Sequence, residues 1–131
     1  MMSFFSRKPS NLGIIDGRLA DCPTSPNCVS TQAADAEHRM DPIPFDGSPD
    51  EMMQRINRVL TGMTQAKIIV IERNYLHAEF RSALFRFVDD VEFRIDPESQ
   101  LVHFRSASRL GHSDHGVNRR RMEEIREALG E

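Results

Sequence analysis

Residues 67–108 read KIIVIERNYLHAEFRSALFRFVDDVEFRIDPESQLVHFRSAS, and this stretch decides the fold. The β-branched run at residues 68–71 predicts a well-buried strand. After a turn residue at Asn74, apolar and polar residues alternate over residues 75–81, as in a strand with one solvated face. Two further runs stand on either side of a turn at residues 96–99. The stretch therefore predicts four consecutive strands.

The same alternation predicts which side chains face the core. The expected inward set is Leu76, Ala78, Phe80, Phe85, Phe87, Val91, Phe93, Ile95, Val102 and Phe104. Asp89 interrupts the apolar face of the third strand, so we expect either a bulge or a buried, paired carboxylate there. Asp90 points to the opposite face because strand neighbours alternate. We therefore predict that Asp89 and Asp90 are buried polar residues with a structural role and do not form a catalytic dyad.

The other face of the predicted sheet carries charges of both signs. Opposite charges on facing strands are typical of a cross-strand lattice, and we expect this face to be solvated. A binding surface is the alternative. The residues concerned are Tyr75, His77, Glu79, Arg81, Arg86, Asp90, Glu92, Arg94, His103 and Arg105.

Two helices are predicted, one before and one after the strands. Ser48, Pro49 and Glu51 form a capping box with proline at the first helical position, and Gly62 ends that helix. Its apolar stripe consists of Met52, Ile56, Val59, Leu60 and Met63. The second helix is predicted from about Val117 to Leu129. Its stripe consists of Met122, Ile125 and Leu129.

The predicted fold class is α+β. A two-layer sandwich is the economical packing, with a four-stranded antiparallel meander and both helices on one face. The element order is α-β-β-β-β-α after an irregular N-terminal arm. We expect residues 1–18 to form a flexible arm and residues 19–131 a single globular domain.

Composition limits the class of function. The chain has 131 residues, 39% of them hydrophobic and 28% charged, which is ordinary for one soluble domain. The net charge of −3 and the absence of tryptophan disfavour nucleic-acid partners. No stretch approaches the roughly 20 apolar residues of a membrane span. We expect a cytoplasmic protein of unknown oligomeric state.

Residues 22–30, CPTSPNCVS, place two prolines between the only two cysteines. A zinc site needs about four ligands, and nothing but His38 could join these thiols, so we expect no metal and no cofactor. A disulfide across so short a loop would contribute about 2–3 kcal/mol but conflicts with the cytoplasmic prediction. A nucleophilic Cys22 or Cys28 would need a base that the sequence does not reveal. The favoured interpretation is a proline-stiffened loop with semi-buried thiols.

Residues 103–121, HFRSASRLGHSDHGVNRRR, hold five arginines and one aspartate, a local charge of +4. Serines and Gly111 lead into a helix N-terminus, which suits an anion with Arg109 or Arg119 as a bidentate partner. The alternative is that these arginines pair with Asp89, Asp90 and Glu123 or face water. His112, Asp114 and His115 look like a metal cluster, but they lie in one short loop and lack a remote ligand.

Three segments together carry a resemblance to a known family: CPTSPNCVS, YLHAEFRSALFRFVDDVEF and RSASRLGHSDHGVNRRR. In this order they resemble the family catalogued as domain of unknown function 1499, over roughly residues 19–129. The matching residues are Cys22, Pro23, Ser25, Pro26, Asn27, Cys28, Val29, Ser30, Asp89, Asp90, Arg105, Ser106, Ser108, Arg109, Ser113, Asp114, Asn118 and Arg119. His112 and His115 depart from the pattern, which further weakens the metal hypothesis. The resemblance implies no established activity.

The leading functional hypothesis is a non-enzymatic binding module. A small anionic ligand or an acidic partner segment would dock where the Cys22–Ser30 loop meets the Arg105–Arg119 segment. The candidate ligand-binding residues are Cys22, Ser25, Asn27, Cys28, Ser30, Arg105, Ser106, Ser108, Arg109, Asp114, Asn118 and Arg119. The alternative is a small hydrolase or transferase with Cys28 or a serine as nucleophile, assisted by His77 or Asp114. A third possibility is an interaction protein with an apolar patch on its first helix.

Overall fold

The computed structural model describes residues 7–82, 87–111 and 113–130, and the elements within them make an α+β fold, as predicted. In chain order these elements are β1 (Cys28–Ser30), β2 (Ile43–Pro44), α1 (Pro49–Thr61), β3 (Ala66–Ile71), β4 (Tyr75–Arg81), β5 (Val88–Asp96), β6 (Leu101–Ser108) and α2 (Val117–Ala128). No helix within these ranges is long and apolar enough to cross a membrane.

The sheet has six strands rather than the four predicted. Strands β3 to β6 form the expected antiparallel meander. The N-terminal arm, which in the structure extends to the start of α1, adds β1 and β2. Both strands pair with β6: Cys28 lies opposite Ala107, and Ile43 lies opposite Val102. These two strands have only three and two residues, too few to show an apolar period. They form because β6 offers backbone groups that would otherwise lack partners.

The main core lies between the sheet and the two helices. Helix α1 begins with the predicted capping box: the Glu51 backbone N–H donates to Ser48 Oγ at 3.1 Å, and the Ser48 N–H donates to Glu51 Oε1 at 3.0 Å. The buried core includes Met52, Ile56, Leu60, Leu76, Phe80, Val91, Phe93, Val102, Phe104, Met122 and Ile125. The inward residues predicted for β4 and β6 are therefore confirmed.

The burial predicted for β3 is wrong, and the bulge considered as one alternative at Asp89 is found elsewhere in the sheet. Strand β3 is only half-buried because it is the edge strand and pairs with β4 alone. The irregularity in the sheet lies in β3, between Ile68 and Val70, whereas β5 pairs in continuous register on both sides. Phe87 precedes β5 and is half exposed, and Phe85 lies outside the described residues.

The sheet face opposite the helices is buried, which corrects the prediction of a solvated face. The buried residues on it include Tyr75, His77, Glu79, Asp90, Glu92 and Arg105, while Arg86 is outside the described residues. The N-terminal arm covers this face: the Gly13 N–H donates to Glu92 Oε2 at 2.7 Å, and Arg105 Nη2 donates to the Asp21 carbonyl oxygen at 3.3 Å. We call this surface the arm-covered face. A cross-strand charge lattice exists as predicted, but it is shielded from solvent.

Candidate functional site

The two loops that the sequence predicts to meet are in direct contact. Asn27 stands just before β1 and is 4% exposed. Its side-chain Nδ2 donates to the carbonyl oxygens of Leu110 and Gly111, at 3.3 and 2.7 Å. From the other side, Asn118 Nδ2 donates to the Asn27 carbonyl oxygen at 3.3 Å. We call this contact the loop junction.

Asn118 is the centre of the loop junction, and its side chain is fully buried in the first turn of α2. Its Nδ2 also donates to Ser108 Oγ at 2.9 Å and to Asp114 Oδ2 at 2.8 Å. Its Oδ1 accepts from Ser106 Oγ at 2.6 Å and from Arg121 Nη1 at 2.8 Å. A buried amide with this many partners fixes the geometry of all the segments that it joins.

Asp114 supplies the helix cap that Gly116, at the cap position, cannot supply. Its carboxylate accepts the Gly116 N–H at 2.8 Å and the Asn118 N–H at 3.0 Å. Burial raises the pKa of Asp114, but the hydrogen bonds from Asn118 and Gly116 outweigh it and hold the pKa below its ordinary value. Asp114 is therefore an ionised cap on the positive end of the α2 dipole.

Asp89 forms an ion pair on the helix side of the sheet. Arg121 Nη2 donates to Asp89 Oδ2 at 2.7 Å, and the Arg121 guanidinium also stacks over the Phe80 ring at 4.7 Å. In the structure Asp89 is thus a buried carboxylate with an ion-pair partner. Arg121 was not among the predicted site residues. The available signal was its position four residues before Ile125, which places it on the helix face that packs against the core.

A cavity of about 590 Å³ opens beside the loop junction. It lies within the roughly 300–1,000 Å³ range of small-molecule sites. The residues that line it are Gln65, Ser82, Phe87, Val88, Asp89, Ser108, Leu110, Gly111, Ser113, Asp114, His115, Val117 and Arg121. We call it the Asp89 pocket. A second cavity of about 480 Å³ shares Gln65, Val117 and Arg121 with it.

Asp90 is paired on the arm-covered face. Arg109 donates to it in a bidentate manner, Nε to Oδ2 at 2.8 Å and Nη2 to Oδ1 at 2.9 Å, and also reaches Glu79 Oε2 at 2.8 Å. His77 Nε2 lies 2.8 Å from Asp90 Oδ1. Burial raises the pKa of Asp90, but the hydrogen bonds from Arg109 and His77 outweigh it, so this pKa lies below its ordinary value. The hydrogen bonds with Asp90 in turn raise the pKa of Arg109.

The two other arginines of the predicted anion site also have acceptors. Arg105 is 4% exposed, and its Nη1 lies 3.9 Å from Glu92 Oε1 under the arm. Burial lowers the pKa of Arg105, against the opposing charge of Glu92. Arg119 donates to the carbonyl oxygens of Glu37 and Arg39, at 2.9 and 3.1 Å. Arg105 and Arg119 thus join segments of the chain. Arg109 pairs with Asp90, which the sequence analysis considered as the alternative to an anion site.

Cys22 and Cys28 form a disulfide, so the favoured prediction of two thiols is wrong. Their Cα atoms lie 5.7 Å apart, within the usual range for a disulfide. Prolines 23 and 26 fold the loop back, and the pairing of β1 with β6 holds Cys28 in place. A nucleophilic Cys28 is excluded in this state because its sulfur is covalently bound. Ser25 and Ser30 hydrogen bond within their own segment, to Asn27 Oδ1 and from the Gln32 N–H.

His38 is 5% exposed and contacts the Cys22–Ser30 loop through Ser25. Its Nδ1 lies 2.6 Å from Asp35 Oδ2, and its Nε2 lies 2.8 Å from the Ser25 carbonyl oxygen. Both partners are acceptors, so both ring nitrogens donate when the imidazolium is present. The hydrogen bond to Ser25 and that to Asp35 raise the pKa of His38 above its ordinary value, against the effect of burial. Asp35, Glu37 and His38 each offer one potential metal-ligand atom within 4.8 Å of the others, but both imidazole nitrogens of His38 are engaged in hydrogen bonds.

The serines of the junction lack an activating base. Among the described residues, no histidine or carboxylate is hydrogen bonded to the side chains of Ser106 or Ser108, whose partners are Asn118 and Arg121. His77 belongs to the arm-covered face, on the opposite side of the sheet from Ser106. His112 is outside the described residues.

A family model described as "Protein of unknown function (DUF1499)" matches residues 18–129, which include both loops of the junction, the sheet and α2. No curated protein matches the chain.

Proposed function

The chain belongs to the DUF1499 family, and from this premise we propose that it is a non-enzymatic binding module for a small ligand. The proposed site is the Asp89 pocket, beside the loop junction. The observation that supports it is a cavity of ligand size whose polar floor, Asp89 with Arg121, is held in place by the fully buried Asn118. Such a floor is organised before any ligand arrives, which reduces the entropic cost of binding.

The proposed ligand is not the anionic ligand or acidic partner segment that the sequence analysis expected. Arg105, Arg109 and Arg119 already donate to carboxylates or backbone carbonyls, or lie buried beside a carboxylate. An anion would therefore have to displace an existing partner before it gained a bidentate arginine. The Asp89 pocket itself contributes Arg121, which is paired with Asp89.

The enzyme alternative has less support. Cys28 offers no thiol while the disulfide is intact, and the junction serines bind an amide and a guanidinium. A serine nucleophile needs a base within hydrogen-bond reach, directly or through one water. Catalysis by this site would therefore need groups other than the ones predicted.

The compartment follows from the same disulfide. Disulfides persist in oxidising compartments and are rare in the cytosol. The Cys22–Cys28 bond therefore weighs against the predicted cytoplasmic location and favours an oxidising one.

The binding proposal is tested by screening small fragments against ¹⁵N-labelled protein and mapping the amide shifts. Fragments are expected to shift the amides of Val88, Leu110 and Val117. Val117→Trp, at the pocket mouth, should abolish these shifts, whereas Ile71→Trp should not, because Ile71 is an exposed apolar residue at the end of β3 and does not line the pocket. A screen in which hits map elsewhere, or in which both variants bind like the parent, would overturn the proposal.

A further inference from the structure

The Asp89 pocket is apolar at its mouth and charged at its floor. Phe87, Leu110 and Val117 line it and are 50%, 44% and 40% exposed, more than most large apolar side chains in the described part of the chain. Exposed apolar residues gathered at one cavity are typical of a ligand or partner site. A ligand of this pocket would bury an apolar body between these three side chains.

The charges that line the pocket are unbalanced toward the negative. Its described lining residues include two carboxylates, Asp89 and Asp114, and one guanidinium, Arg121. Asp114 uses its oxygens to cap α2, whereas Asp89 has one ion-pair partner among the residues that the structure describes. The floor therefore favours a cationic or neutral group over an anionic one.

Asp89 has an unused acceptor. The residue is 8% exposed, and Oδ2 accepts from Arg121 Nη2. Among the described residues, no hydrogen bond reaches Oδ1 of Asp89, although this carboxylate lines the cavity. This oxygen is open to the cavity and not sealed inside the protein, so a donor on a ligand can reach it and form a charge-assisted hydrogen bond.

From these observations we infer that the ligand of the Asp89 pocket is a small apolar molecule bearing a primary amine or a similar cationic donor. The inference rests on the proposed binding function and adds the ligand class. The ammonium group would donate to Asp89 Oδ1, and the apolar body would contact Phe87, Leu110 and Val117. A carboxylate ligand would instead bring its charge against Asp89 and would have to take Arg121 from it.

Four probes that share a benzyl or phenyl body separate the possibilities: benzylamine, benzyl alcohol, benzoate and benzyltrimethylammonium. Binding is measured at neutral pH by amide shifts of Val88, Leu110 and Val117. Benzylamine should bind about tenfold more tightly than benzyl alcohol or benzoate, because its hydrogen bond is assisted by charge. Benzyltrimethylammonium, which has the charge without an N–H, should bind more weakly than benzylamine.

A protein variant gives the second arm. Asp89→Asn should remove the preference for benzylamine over benzyl alcohol, and Asp46→Asn, an exposed aspartate outside the pocket, should leave it unchanged. If Asp89→Asn does not fold, the comparison of benzylamine with benzyltrimethylammonium on the parent protein still tests the donor. Equal binding of amine and alcohol, or tighter binding of benzoate, overturns the amine inference and leaves the pocket as a site. Absence of binding by all four probes counts against both the inference and the proposed function.

Discussion

Asp89 and Asp90 are neighbours in β5, yet their carboxylates bind arginines on opposite faces of the sheet. Asp89 pairs with Arg121 of α2 at 2.7 Å, and Asp90 pairs with Arg109, just after β6, at 2.8 Å. The first pair forms the floor of the Asp89 pocket, and the second lies in the arm-covered face. One dipeptide thus joins the two layers on either side of the sheet.

Substitutions of Asp90 and Arg109 should have strongly non-additive effects on the free energy of unfolding. Asp90→Asn removes the bidentate partner of the buried Arg109 guanidinium and leaves it with Glu79, and removing one partner of a buried pair costs about 3–5 kcal/mol. Arg109→Met should cost a similar amount, and the double variant should lose clearly less than the sum. Urea unfolding of the four proteins measures this coupling. Additivity within about 0.5 kcal/mol would contradict it.

The loop junction should depend on the Asn118 amide. Asn118→Leu keeps a similar volume but removes the hydrogen bonds of the amide with the Asn27 carbonyl oxygen and with the hydroxyls of Ser106 and Ser108, and each buried group left unsatisfied costs about 1–3 kcal/mol. We expect a loss of roughly 3 kcal/mol or more in the free energy of unfolding. The Ser108 amide, which donates to the Asn27 carbonyl oxygen, should also lose protection from hydrogen exchange.

The control for that experiment is Asn11→Leu, at an exposed asparagine of the arm. It should leave both the unfolding free energy and the exchange of Ser108 near the parent values. If Asn118→Leu exchanges like this control, the junction does not hold the two loops together.

Much of this architecture could be predicted from local sequence, and the rest depends on distant contacts. The capping box at Ser48 and the meander from β3 to β6 follow from short-range periodicity, and both are present. The short strand β1 does not, because it exists only through pairing with β6. The burial of the arm-covered face depends on a contact between Gly13 and Glu92, 79 residues apart. Polar alternation along a strand resembles a solvated face whether or not another segment covers it.

The candidate site, too, could be predicted from the sequence only in part. The Cys22–Ser30 loop and the Arg105–Arg119 segment could be placed together from their polar residues and the family resemblance. Which arginine enters the pocket could not be predicted, because the sequence does not show that Arg109 and Arg121 reach opposite faces of the sheet. The disulfide was disfavoured because the predicted cytoplasmic location was used against it.

Loss of the disulfide should destabilise the fold without abolishing it. The Cys22→Ser, Cys28→Ser variant is expected to lose about 2–3 kcal/mol, since the crosslink closes a short loop of the unfolded chain. Thermal unfolding with and without dithiothreitol provides the measurement. Reductant should lower the Tm of the parent protein and leave the variant unchanged. If reductant does not change the Tm of the parent protein, the crosslink contributes nothing to its stability.

His38 predicts a specific dependence of stability on pH. Its pKa is raised in the folded state by the hydrogen bonds to Ser25 and Asp35, so folding favours the protonated ring. The stabilisation is therefore complete below the unfolded pKa of about 6.5 and is lost as pH rises through the folded pKa. The difference in unfolding free energy between the parent and His38→Gln should be larger at acidic than at alkaline pH. A difference that is constant, or that grows with pH, would contradict the ion-paired imidazolium.

The arm-covered face can be examined through Tyr75, the only tyrosine in a chain without tryptophan. Burial raises the pKa of Tyr75, and the hydrogen bond to Glu92 and its negative charge raise it further. The near-ultraviolet absorbance of tyrosinate should therefore stay low above pH about 10, the ordinary pKa of tyrosine, until the protein unfolds. Removing residues 1–18 takes away the Gly13 contact and part of the cover, so Tyr75 should then ionise closer to pH 10.

Glu92→Gln is the matched variant for this titration, because it keeps the arm and removes the charge beside the phenol. It should lower the pKa of Tyr75 while the tyrosine stays buried, whereas the truncation should also make Tyr75 accessible to an acrylamide quencher of fluorescence. The two variants thus separate the effect of charge from that of burial. If the truncated protein titrates and quenches like the parent, the arm does not shield this face in solution, and the prediction of a flexible segment at residues 1–18 gains support.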